Sequence, residues 1–437
     1  MLQLPRQAYA DRRRRVLSLL EDGSALLLPT HGEVIRSNTT HFPFRPASDF
    51  WYLSGFREPD AWLLLKKGGV DEGFHLFVPP KDREKEVWTG RRAGLEGAVE
   101  HYSADHAHAV DKLPTELRRL LEDVDKLYFP FGQVGSKEAR LHDVLRQVRV
   151  GRKSGLGPST LVDSSAFLAD LRLVKSADEL ALMREGARIT GEAHVAAMQQ
   201  VRPGMREYEV QALLEYTFRR QGAWSWAYGS IVAGGANACI LHYVDNDAPF
   251  GDGDLMLIDA GAEIEGYATD VTRTTPVNGK YSPAARDVYG AVLRVQEAAI
   301  EAVKPGASIN AIHADVLRAL TTELVGLGIL QGDVEQLVED AAYMPYYMHR
   351  TSHWLGLDVH DVGRYVRRDG EDVPFEPGMV LTVEPGLYLA ADDETVPAAM
   401  RGIGIRIEDD ILVTSDGHDN LTGHIPKRID DIEALRR

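Results

Sequence analysis

The stretch Leu255–Thr274 reads LMLIDAGAEIEGYATDVTRT. An apolar run, LMLID, ends in Asp259, and a β-prone run, YATDVTRT, carries Asp270. Between them, AEIEG can turn the chain. A hairpin centred on Ile264–Glu265 is expected, which sets Asp259 directly opposite Asp270. Opposed residues on paired strands have Cβ atoms about 4.5–5.5 Å apart. Two carboxylates that close, beside apolar strands, repel unless a proton or a cation lies between them. A metal ion is the natural partner, and oxygen ligands suit Mn2+, Mg2+ or Zn2+.

The pattern recurs downstream. MVLTVEPG, Met379–Gly386, is an apolar strand interrupted by Glu384, and GIGIRIEDDILV, Gly402–Val413, returns with Glu408. The helical segments repeat too. VRPG at Val201–Gly204 and VKPG at Val303–Gly306 each follow one long amphipathic helix and precede another. Two similar α/β halves are therefore expected, with one carboxylate pair from each meeting at a shared site.

Four histidines belong to the question. His349, His353 and His360 lie within HRTSHWLGLDVHDVG, and His242 lies in ILHYVDND ahead of the first carboxylate strand. A helical zinc motif needs Glu after the first histidine, but Arg350 stands there, with Gly356 close by. The segment carries strand and turn signals, and in a strand His349 and His353 share a face. A histidine is expected to complete the carboxylate site, because dinuclear hydrolase centres combine such ligands.

The first part of the chain alternates helices with short apolar strands. SALLLPT, AWLLLKK, GFHLFVPP and DKLYFPFG read as strands, and ADRRRRVLSLLE and LPTELRRLLEDV as helices. The run Arg12–Arg15 is expected on a solvated face. Ser176 followed by Glu179 fits a capping box that opens a long helix. The domain boundary is placed just before it, giving residues 1–172 and 173–437. The fold class is α/β (α+β).

Composition narrows the function. The chain has 437 residues and a formal charge of −17, which argues against nucleic acid and anionic membranes as partners. No segment approaches about twenty apolar residues, so no transmembrane helix is expected. The first twenty residues lack the apolar core of a secretory signal. Cys239 is the only cysteine and reads as a buried small hydrophobe; its isolation suits a reducing compartment.

In these motifs the chain resembles the pita-bread metallopeptidases, most closely the bacterial Xaa-Pro aminopeptidases (aminopeptidase P). The ordered set Asp259, Asp270, His353, Glu384 and Glu408 matches the five metal ligands of that family, and SDFWYLSGF and EVWTGRRAG extend the likeness into the first domain. The resemblance implies a creatinase-like N-terminal α/β domain with a non-catalytic role in oligomerisation or substrate access, then a pita-bread catalytic domain of two pseudo-symmetric halves. It implies two divalent metal ions, manganese first, with zinc or cobalt as alternatives. Asp270 and Glu408 would bridge them, Asp259 would chelate one, and His353 and Glu384 would complete the other. A water activated between the ions would be the nucleophile, with Glu384 as general base.

By the same resemblance, His242 and His360 would contact the scissile amide and His349 would shape the proline pocket. Arg406 would pair with site carboxylates or bind substrate, supported by Tyr388, and Trp88 would be contributed by a neighbouring subunit. The implied substrates are peptides with proline in second position, cleaved by a cytoplasmic homo-oligomer, tetramer or dimer. Prolidase, acting only on Xaa-Pro dipeptides, is the alternative activity; an inactive peptide-binding module is the alternative outside enzymes.

Overall fold

A computed structural model describes residues 2–150 and 157–436. The chain divides into two compact units, Leu4–Ala169 and a second made of Asp170–Arg437 with the first three residues.

The N-terminal unit is built on a six-stranded sheet. Its strands are β1 (Ser24–Pro29), β2 (Trp62–Lys67), β3 (Gly73–Val78), β4 (His106–Ala109), β5 (Lys126–Phe129) and β6 (Thr160–Asp163), in the spatial order β4-β3-β2-β1-β5-β6. β1–β2–β3 pair antiparallel; β4, β5 and β6 join parallel. The near-continuous apolar runs are explained by burial: Ala25, Leu27, Leu64 and Phe77 pack with Leu117 and Leu120 in one core.

The arginine run departs from expectation. Arg14 and Arg15 are exposed, but Arg12 and Arg13 are buried on helix α1 (Arg6–Leu19). Arg12 donates to the Tyr52 carbonyl at 3.0 Å and Arg13 to the Leu53 carbonyl at 2.8 Å. These carbonyls belong to the last turn of helix α2 (Ser48–Ser54), where cations are favoured. The guanidiniums also stack on Tyr52 and Phe74, each 4.2 Å from the ring centre. Two arginines are thus buried because a helix end and two aromatic faces receive them.

The second unit shows the duplicated order. Helix α3 (Ala177–Gln200) opens on a full capping box, with Glu179 N–H donating to Ser176 Oγ and Ser176 N–H to Glu179 at 2.9 Å. The Val201–Gly204 turn leads into α4 (Glu207–Arg220). Further on, α5 (Pro283–Glu301) is followed by the Val303–Gly306 turn and α6 (Ile309–Gly326). Gly204 and Gly306 have φ of 88° and 86°, so both turns require the left-handed conformation that glycine adopts without strain.

Each helix pair is matched by strands. β7 (Ile231–Gly234), β8 (Leu255–Asp259) and β11 (Thr272–Pro276) form one antiparallel sheet; β9 (Ala262–Ile264) and β10 (Tyr267–Ala268) form the hairpin tip between β8 and β11. In the second half, β12 (Val380–Val383) and β13 (Gly386–Leu389) pair with β15 (Asp409–Val413) and β14 (Ile403–Arg406) respectively. Val288, Val292 and Val295 of α5 pack in a core that also holds Leu381, Ile405 and Ile411.

The hairpin register differs from expectation. Ile264 pairs with Tyr267 and Asp259 with Thr272, so the turn is Glu265–Gly266 and Asp270 is not directly opposite Asp259. Both turn residues have positive φ, 52° and 84°, as a two-residue type I′ hairpin demands. That need for glycine at the second turn position moves the centre one residue along. In the second half, both ladders keep one register, pairing Val383 with Asp409 and Gly386 with Arg406. Continued between these pairs, it sets Glu384 opposite Glu408.

Candidate active site

The hairpins and loops of the second unit converge on a cavity of about 490 Å3. Asp259, Asp270, Glu384 and Glu408 line it together with His242, His349, His353, His360 and Arg406. Tyr388 is buried behind this wall and joined to it by hydrogen bonds. Trp88 belongs to the N-terminal unit, on the short helix Arg83–Thr89, and is 87% exposed.

The histidine segment is not a strand. Residues 347–363 are irregular apart from a single bridge, Trp354 to Leu381, and His242 lies on a turn. The loop is held to β12 by backbone bonds: Thr382 N–H donates to the His353 carbonyl at 3.0 Å and Glu384 N–H to the Thr351 carbonyl at 2.8 Å. Local turns and these bonds, rather than strand periodicity, bring His349 and His353 to the same cavity.

Side chains from both halves meet closely. His353 Nε2 lies 3.4 Å from Asp270 and 3.5 Å from Glu384. Asp270, His353 and Glu408 can offer one ligand atom each, all within 4.8 Å of one another, the grouping of this kind found among the described residues. His353 Nδ1 donates to the carbonyl of Trp354 at 3.0 Å, which directs Nε2 at the carboxylates. Asp259 is oriented differently. Arg406 donates to one of its oxygens at 2.5 Å, and the Tyr228 hydroxyl lies 2.5 Å from the other and also against Asp270, with one proton to share between the two carboxylates.

A second layer orients these groups. Arg406 donates to Thr272 Oγ1 at 3.1 Å, and Thr272 donates to Glu408 at 2.6 Å. Thr382 donates to Glu384 at 3.3 Å, and Asp270 N–H donates to Asp410 at 3.2 Å. Arg406 also donates to the Tyr388 hydroxyl at 3.0 Å. His349 Nδ1 donates to the Arg350 carbonyl at 2.8 Å, so its Nε2 accepts from Tyr388 at 2.8 Å. Thr272 is readable in the sequence, two residues from Asp270 on the same strand face, and Asp410 follows Glu408 in EDD. Nothing around Tyr228 signals its role, because it sits alone in SWAYGS, far from both carboxylates in the chain.

The charges are strongly perturbed. Burial, reinforced by Asp270 and Glu384, pushes Glu408 well above the usual carboxylate range. Burial also raises Glu384, to about 7, against the pull of His353. Asp259 is raised by burial despite Arg406. Burial would raise Asp270, but His353, with Tyr228 and His360, moves it down. His353 is raised to about 9: burial would lower it, but Asp270 and Glu384 prevail. His349 is pressed down to about 3 by burial and Arg406, and His360 is lowered by burial and His353. Three buried carboxyls and the partly buried Glu384, facing two cationic side chains, leave excess negative charge, which protons occupy and divalent ions would replace. The oxygen-and-imidazole donor set fits such ions.

Comparisons with known proteins identify the family. The model described as Metallopeptidase family M24 matches residues 181–415, and that described as Aminopeptidase P, N-terminal domain matches residues 9–128. The chain belongs to metallopeptidase family M24. It is 44% identical to the Xaa-Pro aminopeptidase of Escherichia coli K12 over 100% of this chain and 98% of that relative. The Haemophilus influenzae Xaa-Pro aminopeptidase is equally similar, at 44% with the same coverages. The solved structure of Pseudomonas aeruginosa aminopeptidase PepP superposes with a TM-score of 0.98 at 45% identity, covering 100% of this chain and 98% of that one. Zinc-substituted E. coli aminopeptidase P in complex with product gives 0.96 at 43%, covering 99% and 98%.

Proposed function

We propose that this protein is an Xaa-Pro aminopeptidase that releases the N-terminal residue from peptides with proline in second position. The observation that carries the reading is the convergence of Asp259, Asp270, Glu384 and Glu408 with His353 in one cavity, in a chain similar throughout its length to Xaa-Pro aminopeptidases. Asp259, Asp270, His353, Glu384 and Glu408 would hold two divalent ions, manganese by preference. The ions supply Lewis acidity and make water nucleophilic near neutral pH.

The chain's own groups do the rest. Glu384, on the cavity wall, takes the proton of the attacking water as general base. Arg406 neutralises Asp259 and, through Thr272, steadies Glu408. His242 and His360, on the cavity wall, donate to the amide oxygen as charge develops and support the departing proline nitrogen. An Xaa-Pro bond has no amide N–H, so no acceptor is needed opposite it. His349, Tyr365 and Val359 instead offer ring-sized apolar and aromatic surface to the proline.

Trp88 is the exposed aromatic that a second copy of the chain would cover, in keeping with a tetramer or dimer, and the lone cysteine suits the cytoplasm. The deciding experiment is hydrolysis of an Xaa-Pro-Yaa series and of Xaa-Pro dipeptides by enzyme reconstituted with Mn2+, Zn2+ or Co2+. Release of the first residue from tripeptides is expected, fastest with manganese. Turnover of dipeptides alone would make the protein a prolidase.

A further inference from the structure

Behind the carboxylates lies a buried ionic knot that the reaction itself does not use. Arg273, three residues after Asp270, is fully buried. One terminal nitrogen donates to the Thr272 carbonyl at 2.9 Å and to the carbonyl of Glu408 at 2.6 Å. The other donates to Asp409 at 2.7 Å and to the Ile425 carbonyl at 3.2 Å; Nε reaches the Pro426 carbonyl at 3.2 Å. Every N–H of the guanidinium therefore has an acceptor. Asp409, also fully buried, receives further donors from Gln296 at 2.9 Å, Lys427 at 2.6 Å, Asn420 at 3.1 Å and Thr422 at 3.0 Å.

A buried ion pair roughly breaks even against well-packed apolar side chains, so stability alone does not account for it. What an apolar pair could not supply is direction. The Glu408 backbone is held from both sides, its N–H on the Thr272 carbonyl at 3.1 Å and its carbonyl on Arg273. Thr272 and Arg273 open β11, two and three residues after Asp270, whereas Glu408 immediately precedes β15 of the other half. Arg273 and Asp409 thus join the two halves at the residues beside Asp270 and Glu408. An error of about 1 Å there would alter any shared coordination, since such sites depend on their supporting contacts.

We propose that Arg273 and Asp409 are positioning residues that set the separation of Asp270 from Glu408, and with it the capacity to take up two metal ions. The inference rests on the reading that these carboxylates hold metal. A first ion would need fewer of these ligands at their set spacing than a pair of ions that draws on both carboxylates, because a shared site depends more on the contacts that orient its ligands.

The test is calorimetric titration of metal-free full-length protein with Mn2+, paired with electron paramagnetic resonance of the loaded forms and a thermal melt of each variant. Arg273→Lys keeps the charge but loses the fork; Asp409→Asn keeps the shape but loses the charge. In folded variants the first equivalent should bind as in the parent, and the second at least about tenfold more weakly. The resonance spectrum should change from a spin-coupled pair toward isolated Mn2+, and kcat should fall while KM stays within about twofold. Folded variants with parental uptake of both equivalents overturn the proposal while leaving the metal reading intact. A parent protein that takes up no metal overturns both. If Arg273→Lys does not fold, Asp409→Asn decides; if neither folds, the knot is structural and the proposal fails.

Discussion

Two clusters of histidines occupy the two units, and they are opposite in character. In the N-terminal unit His75, His106 and His108 stack on β3 and β4, with ring centres 4.5 and 5.4 Å from His75. His75 is fully buried, and burial, helped by its histidine neighbours, lowers it to about 4. In the second unit His353 is partly buried, yet it rises to about 9. The difference is company. One imidazole faces other imidazoles and the Asp71 carbonyl; the other faces Asp270 and Glu384. Burial alone makes a histidine a neutral packing element, and only carboxylates opposite it make it a candidate for cation chemistry.

The largest expected effect breaks the second cluster. Glu408→Ala or Asp270→Ala removes a carboxylate shared by both proposed ions. Metal titration should show loss of the paired site, and kcat/KM for an Xaa-Pro-Yaa peptide should fall by more than about a thousandfold, as loss of Lewis-acid activation implies. Near-native hydrolysis by either variant would refute the dinuclear mechanism. The matching change in the other cluster, His106→Ala, should leave metal uptake unaltered.

The next effect concerns folding and runs through the stack. The unfolded value for histidine is about 6.5. Between that and about 4, the unfolded chain binds a proton that folded His75 refuses, so stability falls as pH falls through this window. The loss should reach about 3 kcal/mol and level off below pH 4. His108, lowered by burial, adds in the same direction, partly opposed by Glu116. Hydrogen exchange of Gly73–Val78 and His106–Ala109 between pH 7 and 4 measures it. His75→Phe should flatten the dependence, and an unchanged slope would show that the stack does not titrate on unfolding.

The sequence made some of this contrast visible and concealed the rest. Apolar runs and the VxPG turns carried the fold, because each reflects a local requirement: burial on both sheet faces, or glycine at positive φ. Asp259, Asp270, Glu384 and Glu408 were legible because acids inside apolar strands are anomalous. Their exact pairing was not, since a one-residue shift of the turn to Glu265–Gly266 changes which residues are opposed. Arg12 and Arg13 looked solvated because their aromatic and carbonyl partners lie elsewhere in the chain. Tyr228 and the Arg273–Asp409 knot stayed hidden for the same reason: their meaning lies in contacts between distant segments.

A smaller effect follows from the raised groups. At pH 7 metal-free His353 carries a proton, and Glu384 is near its midpoint. Metal must displace these protons, so apparent affinity should rise with pH up to about 9, by up to roughly tenfold per unit for each proton displaced. Calorimetry of Mn2+ binding in buffers of different ionisation enthalpy counts the protons released. A count of zero at pH 7 would erase the contrast between His353 and the stack.

The smallest effect tests a histidine that crosses the comparison. His349 lines the cavity, yet burial and Arg406 press it down to about 3, so it is neutral like the stack. Its Nε2 accepts from Tyr388, which itself accepts from Arg406, so the ring ends a chain of bonds that starts beside Asp259. His349→Phe keeps an aromatic ring for the proline but removes that acceptor. One lost hydrogen bond is worth about 1 kcal/mol net, or roughly a fivefold change. That change should appear in KM for Xaa-Pro-Yaa peptides, with kcat within about twofold. Proton release on Mn2+ binding should not move, because a neutral imidazole has no proton to give up. A reduced proton count in His349→Phe would place His349 with His353 instead, through Glu384, whose carboxylate lies 3.8 Å from His349 Nδ1.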